Sequence, residues 1–312
     1  MSEPVPHVAA DTQRIERALA AIGRVVLGAR DAVRLALSAL LAGGHILIED
    51  PPGVGKTTLA HTLARVLGLS WRRVQFTSDL LPADIIGVSV WREDRFVFQP
   101  GPVFTQVLLA DELNRATPKT QSALLEAMEE GQVSVEGRRQ ALPRPFLVIA
   151  TQNPLEQAGT FPLPESQLDR FMMRIHLGTL DAAAERALLA GDDRRRLAAA
   201  IEPVLDADSL LRLQKAVARV YVSEAVLDHL QALLARSRDP RLFQFGLSPR
   251  AGLALKRAAQ AWALIAGRDH VLPEDVQAVA VAVAEHRLRA PDGEALPAEE
   301  LHNRWLAAVA VD

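Results

Sequence analysis

Apolar positions recur every three or four residues through Ile15, Ala18, Leu19 and Ile22, and again through Val33, Ala36, Leu37, Leu40 and Leu41, until Gly43-Gly44 ends the run. That spacing lines one side of an α-helix, so two helices are expected here. Residues 1–10 lack the period and carry two prolines, which predicts a loose terminus. From residue 45 the pattern changes to short apolar runs alternating with helical stretches, with strands expected at 45–49, 73–77, 107–110, 146–151 and 173–177. Strand-helix alternation predicts a parallel sheet with helices on both faces. The helix expected over 118–130 is punctuated by Thr117 as N-cap, Pro118 at its first position and Gly131 beyond its end.

Two segments interrupt the alternation. Residues 87–100 carry Val88, Val90, Trp91, Phe96, Val97 and Phe98, as an extra hairpin or strand-helix insert would. Residues 132–140 read as a hairpin turning near Glu136-Gly137, with Arg138-Arg139 leaving the turn. After Gly178 only helical periods remain, near 181–197, 209–220, 223–236, 249–266 and 273–288, with a last segment bearing Leu301, Trp305, Ala308 and Val309. Ser223 and Ser248 suit N-caps, and the loop 237–247 is the longest break. The expected organisation is a terminus over 1–10, an α/β domain over 11–178 and a small all-α domain over 179–312. Arg194-Arg195-Arg196 reads as a solvated helix surface.

Composition narrows the function classes. The 312 residues are 49% hydrophobic, enough for two domain cores, and no apolar run approaches the roughly 18 residues that cross a bilayer. There is no basic-then-apolar leader at the start and no cysteine, so a cytoplasmic address is expected, without disulfides or thiolate chemistry. A net charge of −3 gives no overall field to steer the chain onto nucleic acid. The eight histidines are scattered, without a metal-binding pattern.

The chemistry centres on Ile46 to Thr58. An apolar strand enters Asp50-Pro51-Pro52-Gly53-Val54-Gly55, and Lys56-Thr57-Thr58 opens a helix. Glycines let backbone N–H groups approach phosphate oxygens, and the helix N-terminus adds partial positive charge. Lys56 is expected on the β- and γ-phosphates, and the Thr57 hydroxyl on Mg²⁺. Asp50 stands where the usual pattern has glycine; its tolerance of left-handed turns is expected to preserve the loop. The apolar turn Val25-Val26-Leu27-Gly28 just upstream suits a base contact or plain core equally, with Val26 the candidate contact.

Three more strand ends add to it. Val107 to Ala110 delivers Asp111 and Glu112, the first expected on Mg²⁺ and the second on the attacking water. Leu147 to Thr151 leads to Asn153, which could bond both a γ-phosphate and a water, or simply make a turn before Pro154. Arg170, after Leu163-Pro-Glu-Ser-Gln-Leu-Asp169, could serve a neighbouring subunit or pair with Asp169. Arg250, in Gly246-Leu-Ser-Pro-Arg250-Ala, could reach back to the nucleotide.

Taken in order, Asp50 to Thr57, Asp111-Glu112-Leu-Asn-Arg115-Ala, Ala150-Thr-Gln-Asn153-Pro, Pro164 to Phe171 and Ser248-Pro-Arg250-Ala resemble an AAA+ ATPase of the MoxR family over residues 12 to 290. The resemblance implies a P-loop parallel-sheet core with a helical lid, ATP and Mg²⁺ as cofactors, and hexameric rings with ATP at the interfaces. It implies Asn153 as sensor 1, Arg170 as an arginine finger acting in trans and Arg250 as sensor 2, with Arg115 a second candidate for an interface arginine. Segments 87–100 and 132–140 fall where the clade carries inserts facing the ring pore. A chaperone-like role on a client protein, often one with a von Willebrand factor A domain and in cofactor or metal insertion, is implied too. Two other readings stay open: a nucleic-acid motor, for which Arg138-Arg139 would meet phosphates, and an ATP-dependent switch with negligible turnover. A GTPase is excluded, since none of Asn114, Asn153 or Asn303 begins the guanine-reading Asn-Lys-x-Asp.

Overall fold

A computed structural model describes residues 6–154, 159–191 and 193–309. Helix α1 (Pro6–Val25) and α2 (Arg30–Leu41) precede β1 (His45–Glu49) and α3 (Lys56–Val66). Helix α1 starts inside the stretch expected to be loose: Pro6 sits at its first turn, where a missing N–H costs nothing, and Ala9 and Ala10 favour the helix. Residues 1–5 lie outside the described residues.

The chain continues through β2 (Trp71–Gln75), α4 (Pro82–Ile86), β3 (Gly87–Arg92), β4 (Arg95–Pro100), β5 (Val107–Asp111) and α5 (Pro118–Glu130). Then come β6 (Gln132–Val135), β7 (Arg138–Ala141), β8 (Leu147–Gln152), α6 (Glu165–Leu168) and β9 (Phe171–Ile175). Five strands form one parallel sheet in the order β2-β5-β8-β1-β9. Strands β2 and β9 begin two residues earlier than the apolar pattern suggested, because Trp71 pairs with Val107 and Phe171 with His45. Pairing decides where a strand ends, and side-chain hydrophobicity only approximates it. Both excursions are two-stranded antiparallel hairpins outside the sheet, β3–β4 and β6–β7. Each turns on two residues with positive φ, Glu93-Asp94 (48° and 59°) and Glu136-Gly137 (49° and 75°), which matches the twist of the flanking strands.

Alternation along the central strands splits the core. Ile46, Ile48, Val107, Leu109, Leu147 and Ile149 face α1, α2 and α3, whereas Leu47, Leu108, Ala110, Val148 and Ala150 face α5. Beyond β9 lie α7 (Ala182–Ala190), α8 (Arg194–Ala199), α9 (Ala207–Val217), α10 (Glu224–Ser237), α11 (Pro249–Ile265), α12 (Pro273–Ala284) and α13 (Ala298–Leu301). The single helix expected over 181–197 is two, broken at Gly191, whose extended ψ of 177° ends α7. Asp181, Asp206, Ser223 and Ser248 cap α7, α9, α10 and α11 through side-chain oxygens. Buried residues of α9, α10, α11 and α12 join the same hydrophobic cluster as α1 to α3, so the helical region packs on one face of the α/β core. Trp305 is fully buried there and donates from Nε1 to the Leu233 carbonyl at 2.8 Å. No helix among the described residues is long and apolar enough to cross a membrane.

Candidate functional site

The loop between β1 and α3 places its left-handed residues at Gly53 (φ 87°) and Gly55 (φ 98°), and a Cβ at either would meet nothing within 4 Å. That open side is what close backbone approach to a phosphate requires. Asp50 is not among the positive-φ residues, so the expected left-handed turn there is corrected. Its value lies in the side chain. Buried Asp50 accepts from the Leu177 N–H at 2.7 Å and the Gly178 N–H at 3.4 Å, fastening the loop to the chain leaving β9. Lys56 Nζ donates to the carbonyls of Asp50, Pro51 and Gln152. Burial pulls its pKa down, against the attraction of Asp50, Asp111, Glu112 and Glu49.

Lys56, Thr57, Asp111, Glu112 and Asn153 line one cavity of about 570 Å³, which Pro52, Gly53, Gly55 and Thr58 also face. The parallel sheet explains the convergence: β1, β5 and β8 run alongside one another and deliver their C-terminal ends to the same edge. Asp111 is buried and held from two sides. Thr151 Oγ1 donates to Oδ1 at 2.5 Å, while Arg73 donates to Oδ2 from Nε at 2.9 Å and Nη2 at 2.6 Å. Thr151 Oγ1 also accepts the Glu112 N–H at 2.9 Å, fixing the next residue. Glu112 has φ 56° and ψ 49°, a costly conformation for a residue with a side chain and one that concentrates at functional positions. Its Oε2 meets Arg115 Nε at 2.7 Å, so Arg115 neighbours the carboxylate of its own chain. Arg73, His61 and Trp71 also line the cavity, the last two with ring centroids 4.5 Å apart. Arg73 escaped the sequence reading because nothing local links it to Asp111, 38 residues away.

Arg170 and Arg250 are elsewhere. Phe171, next to Arg170, pairs with His45 at the start of β1, whereas the phosphate loop follows Glu49 at its end. Five residues of strand separate the two by about 16 Å. Arg250 joins Arg170 there: Glu129, in the last turn of α5, takes Arg170 Nη1 at 2.6 Å and Arg250 Nη2 at 2.7 Å. Val26 and Gly28 line a separate cavity, of about 910 Å³, with Leu19, Val33, Arg34 and Ile265, and neither lines the phosphate cavity.

The donor set suits Mg²⁺. The Thr57 hydroxyl and the Asp111 carboxylate share a cavity with the phosphate loop, the arrangement for a hard cation that takes its other ligands from phosphates and water.

Residues 45–173 match the model of the ATPase family associated with various cellular activities (AAA), and residues 235–304 match an AAA lid domain. The chain is 42% identical over 300 residues to YeaC of Bacillus subtilis, covering 95% of this chain and 94% of that one. It is 42% identical over 292 residues to chaperone MoxR1 of Mycobacterium tuberculosis, covering 90% of this chain and 77% of the relative. A crystal structure of a presumed ATPase from Cytophaga hutchinsonii superposes with a TM-score of 0.87 at 35% identity, over 98% and 97% of the two chains.

Proposed function

The chain belongs to the MoxR family of AAA+ ATPases, and on that premise we propose that it hydrolyses Mg-ATP at sites shared between neighbouring copies in a ring and uses the cycle to remodel a client protein. The observation that carries this reading is the separation of the two charged constellations. Lys56 and Glu112 stand at one end of the sheet, Arg170 and Arg250 at the other. That separation supports a site closed by two chains around one nucleotide.

In this reading the N–H groups of the phosphate loop and Lys56 Nζ bind the triphosphate, Lys56 turning from the loop carbonyls it now meets. Thr57 and Asp111 would hold Mg²⁺, which supplies charge neutralisation at the phosphates. Glu112 accepts the proton of the attacking water, and Asn153 orients that water through its amide. Val26 is the candidate for the base, which would have to extend beyond the phosphate cavity to reach it. Arg170 of the next subunit meets the charge developing on the γ-phosphate, an effect worth about 10³ to 10⁵ in rate. Arg250 joins it as sensor 2, acting in trans.

Similarity to a chaperone supports the client-directed part. A hexamer, and a client carrying a von Willebrand factor A domain, are the family's expectation and part of the proposal. Client contact is assigned to the two hairpins outside the sheet. Trp91 and Phe96 give β3–β4 an exposed aromatic tip, their rings edge to face at 4.9 Å.

Glu112→Gln and Arg170→Ala test the shared site. Each alone is expected to hydrolyse ATP poorly. Mixed in equal amounts with subunit exchange, they leave about one interface in four with both residues intact, so turnover returns in part. Turnover that stays flat despite demonstrated exchange would sink the shared-site reading and move attention to Arg115.

A further inference from the structure

Four parts of the fold meet at the Arg170 end of the sheet, and their charges are tied at two levels. Near the backbone, Asp169 accepts from Arg287 Nε at 2.7 Å and from Ser248 Oγ at 3.2 Å, joining the segment before β9 to the first turn of α11. Arg287, whose side chain is only 6% exposed, also donates to the carbonyls of Asp169, Phe171 and Met172, which holds that segment against the turn that follows α12. At the side-chain tips the tie is Glu129. Its two oxygens bind two different arginines, Oε2 to Arg170 Nη1 at 2.6 Å and Oε1 to Arg250 Nη2 at 2.7 Å. Arg170 Nη1 additionally donates to the Leu125 carbonyl at 2.6 Å, so this head group is aimed from α5 twice.

Two guanidinium groups repel, and a surface arginine otherwise samples many rotamers. A single carboxylate between them removes both obstacles. It leaves a cavity of about 460 Å³ whose walls include Arg170, Arg250, Arg257 and Arg287 against Glu129 and Asp169, a cationic excess suited to a polyanion. The Arg250 bond holds Glu129 below the usual carboxylate range, so the tie persists at neutral pH.

We infer that Glu129 is a positioning residue for the neighbouring subunit's site: it holds Arg170 and Arg250 side by side, so that they meet the γ-phosphate bound to the next copy as one preorganised pair. The inference rests on the shared-site reading above. It concerns a residue that touches no nucleotide itself and lies at the opposite end of the sheet from its own chain's phosphate loop.

Subunit mixing separates the two claims. Glu129→Ala is expected to lower kcat roughly tenfold, the scale of losing transition-state orientation, with binding of a fluorescent ATP analogue to the phosphate loop unchanged. Mixed with Glu112→Gln it should regain turnover, since the two defects lie on opposite sides of an interface. Mixed with Arg170→Ala it should stay low, since both defects lie on the same side. A defect that merely loosened the fold would not sort by side. Glu129→Gln, which keeps the shape but loses the charge, is run in the same grid in case the alanine variant assembles poorly, and should sort identically. Wild-type turnover in both variants, or recovery with Arg170→Ala, overturns the role of Glu129 while the Glu112→Gln and Arg170→Ala control still recovers. Failure of that control removes the shared-site reading and this inference together.

Discussion

Arg73 on β2 grips Asp111 on β5 with two donors, Nε at 2.9 Å and Nη2 at 2.6 Å, both on Oδ2. The carboxylate assigned to Mg²⁺ is thus already ion-paired within its own chain. Since β2 is the edge of the sheet and leads directly towards α4 and the β3–β4 hairpin, the grip also links the site to the element assigned to client contact.

A guanidinium beside a dication site opposes the dication. Arg73→Ala is therefore expected to lower the Mg²⁺ concentration at half-maximal binding of a fluorescent ATP analogue, by roughly threefold or more on electrostatic grounds. A magnesium titration of binding checks this; an unchanged or higher midpoint would show that Arg73 orients Asp111 more than it competes.

Glu112 occupies its left-handed position with its N–H fixed by Thr151. Glu112→Gln keeps the shape and removes the proton acceptor, so hydrolysis should fall by about 10² to 10⁴ while ATP still binds. Single-turnover hydrolysis alongside equilibrium binding makes the distinction, and full hydrolysis with intact binding would remove Glu112 from the mechanism.

Gly68 has φ 64°, and a Cβ there would lie 2.3 Å from the Leu205 carbonyl oxygen. The N–H groups of Val204 and Leu205 both donate to the Val66 carbonyl, so the connector to α9 is strapped across the end of α3. Gly68→Ala is expected to cost about 2 to 3 kcal/mol, from backbone strain together with the clash. Urea unfolding measures it, and a loss below about 1 kcal/mol would mean that the strap yields freely.

His176 follows β9 and is bonded to Glu285 at 3.0 Å and to the Glu49 carbonyl at 2.5 Å. The Glu285 bond raises its pKa above the ordinary 6.5, with burial opposing. A raised folded-state pKa means that the protonated bridge stabilises the fold fully below about 6.5 and loses that contribution as pH climbs through the raised value. The Tm gap between the wild type and His176→Gln should accordingly be widest in mild acid and narrow in alkali. A gap that widens with pH would reverse the assignment.

Hairpins β3–β4 and β6–β7, the caps at Ser223 and Ser248, and the convergence of Lys56, Thr57, Asp111 and Asn153 on one cavity were legible because each is written in a few adjacent residues. Turn residues, caps and strand-end polar groups act within one turn or one strand. Less legible were the ends of β2 and β9, which pairing moved, and the break at Gly191, where a run of alanines and leucines masked a change of helix. The boundary drawn at residue 10 failed for a similar reason: residues 6–10 do favour a helix, but only as the start of α1.

The sequence by itself determined an α/β chain with a phosphate loop, its carboxylates on one sheet edge and a helical region behind. Those features follow from local periodicity and from the rule that parallel strands share a C-terminal edge. Tertiary structure alone decided what the arginines do. Arg73 reaches across to Asp111, while Arg170 and Arg250 converge on Glu129, pairs separated by 38, 41 and 121 positions along the chain. A cationic side chain carries no period and no turn signal of its own. Its partner is settled only when strand register and helix packing bring distant carboxylates within hydrogen-bond reach.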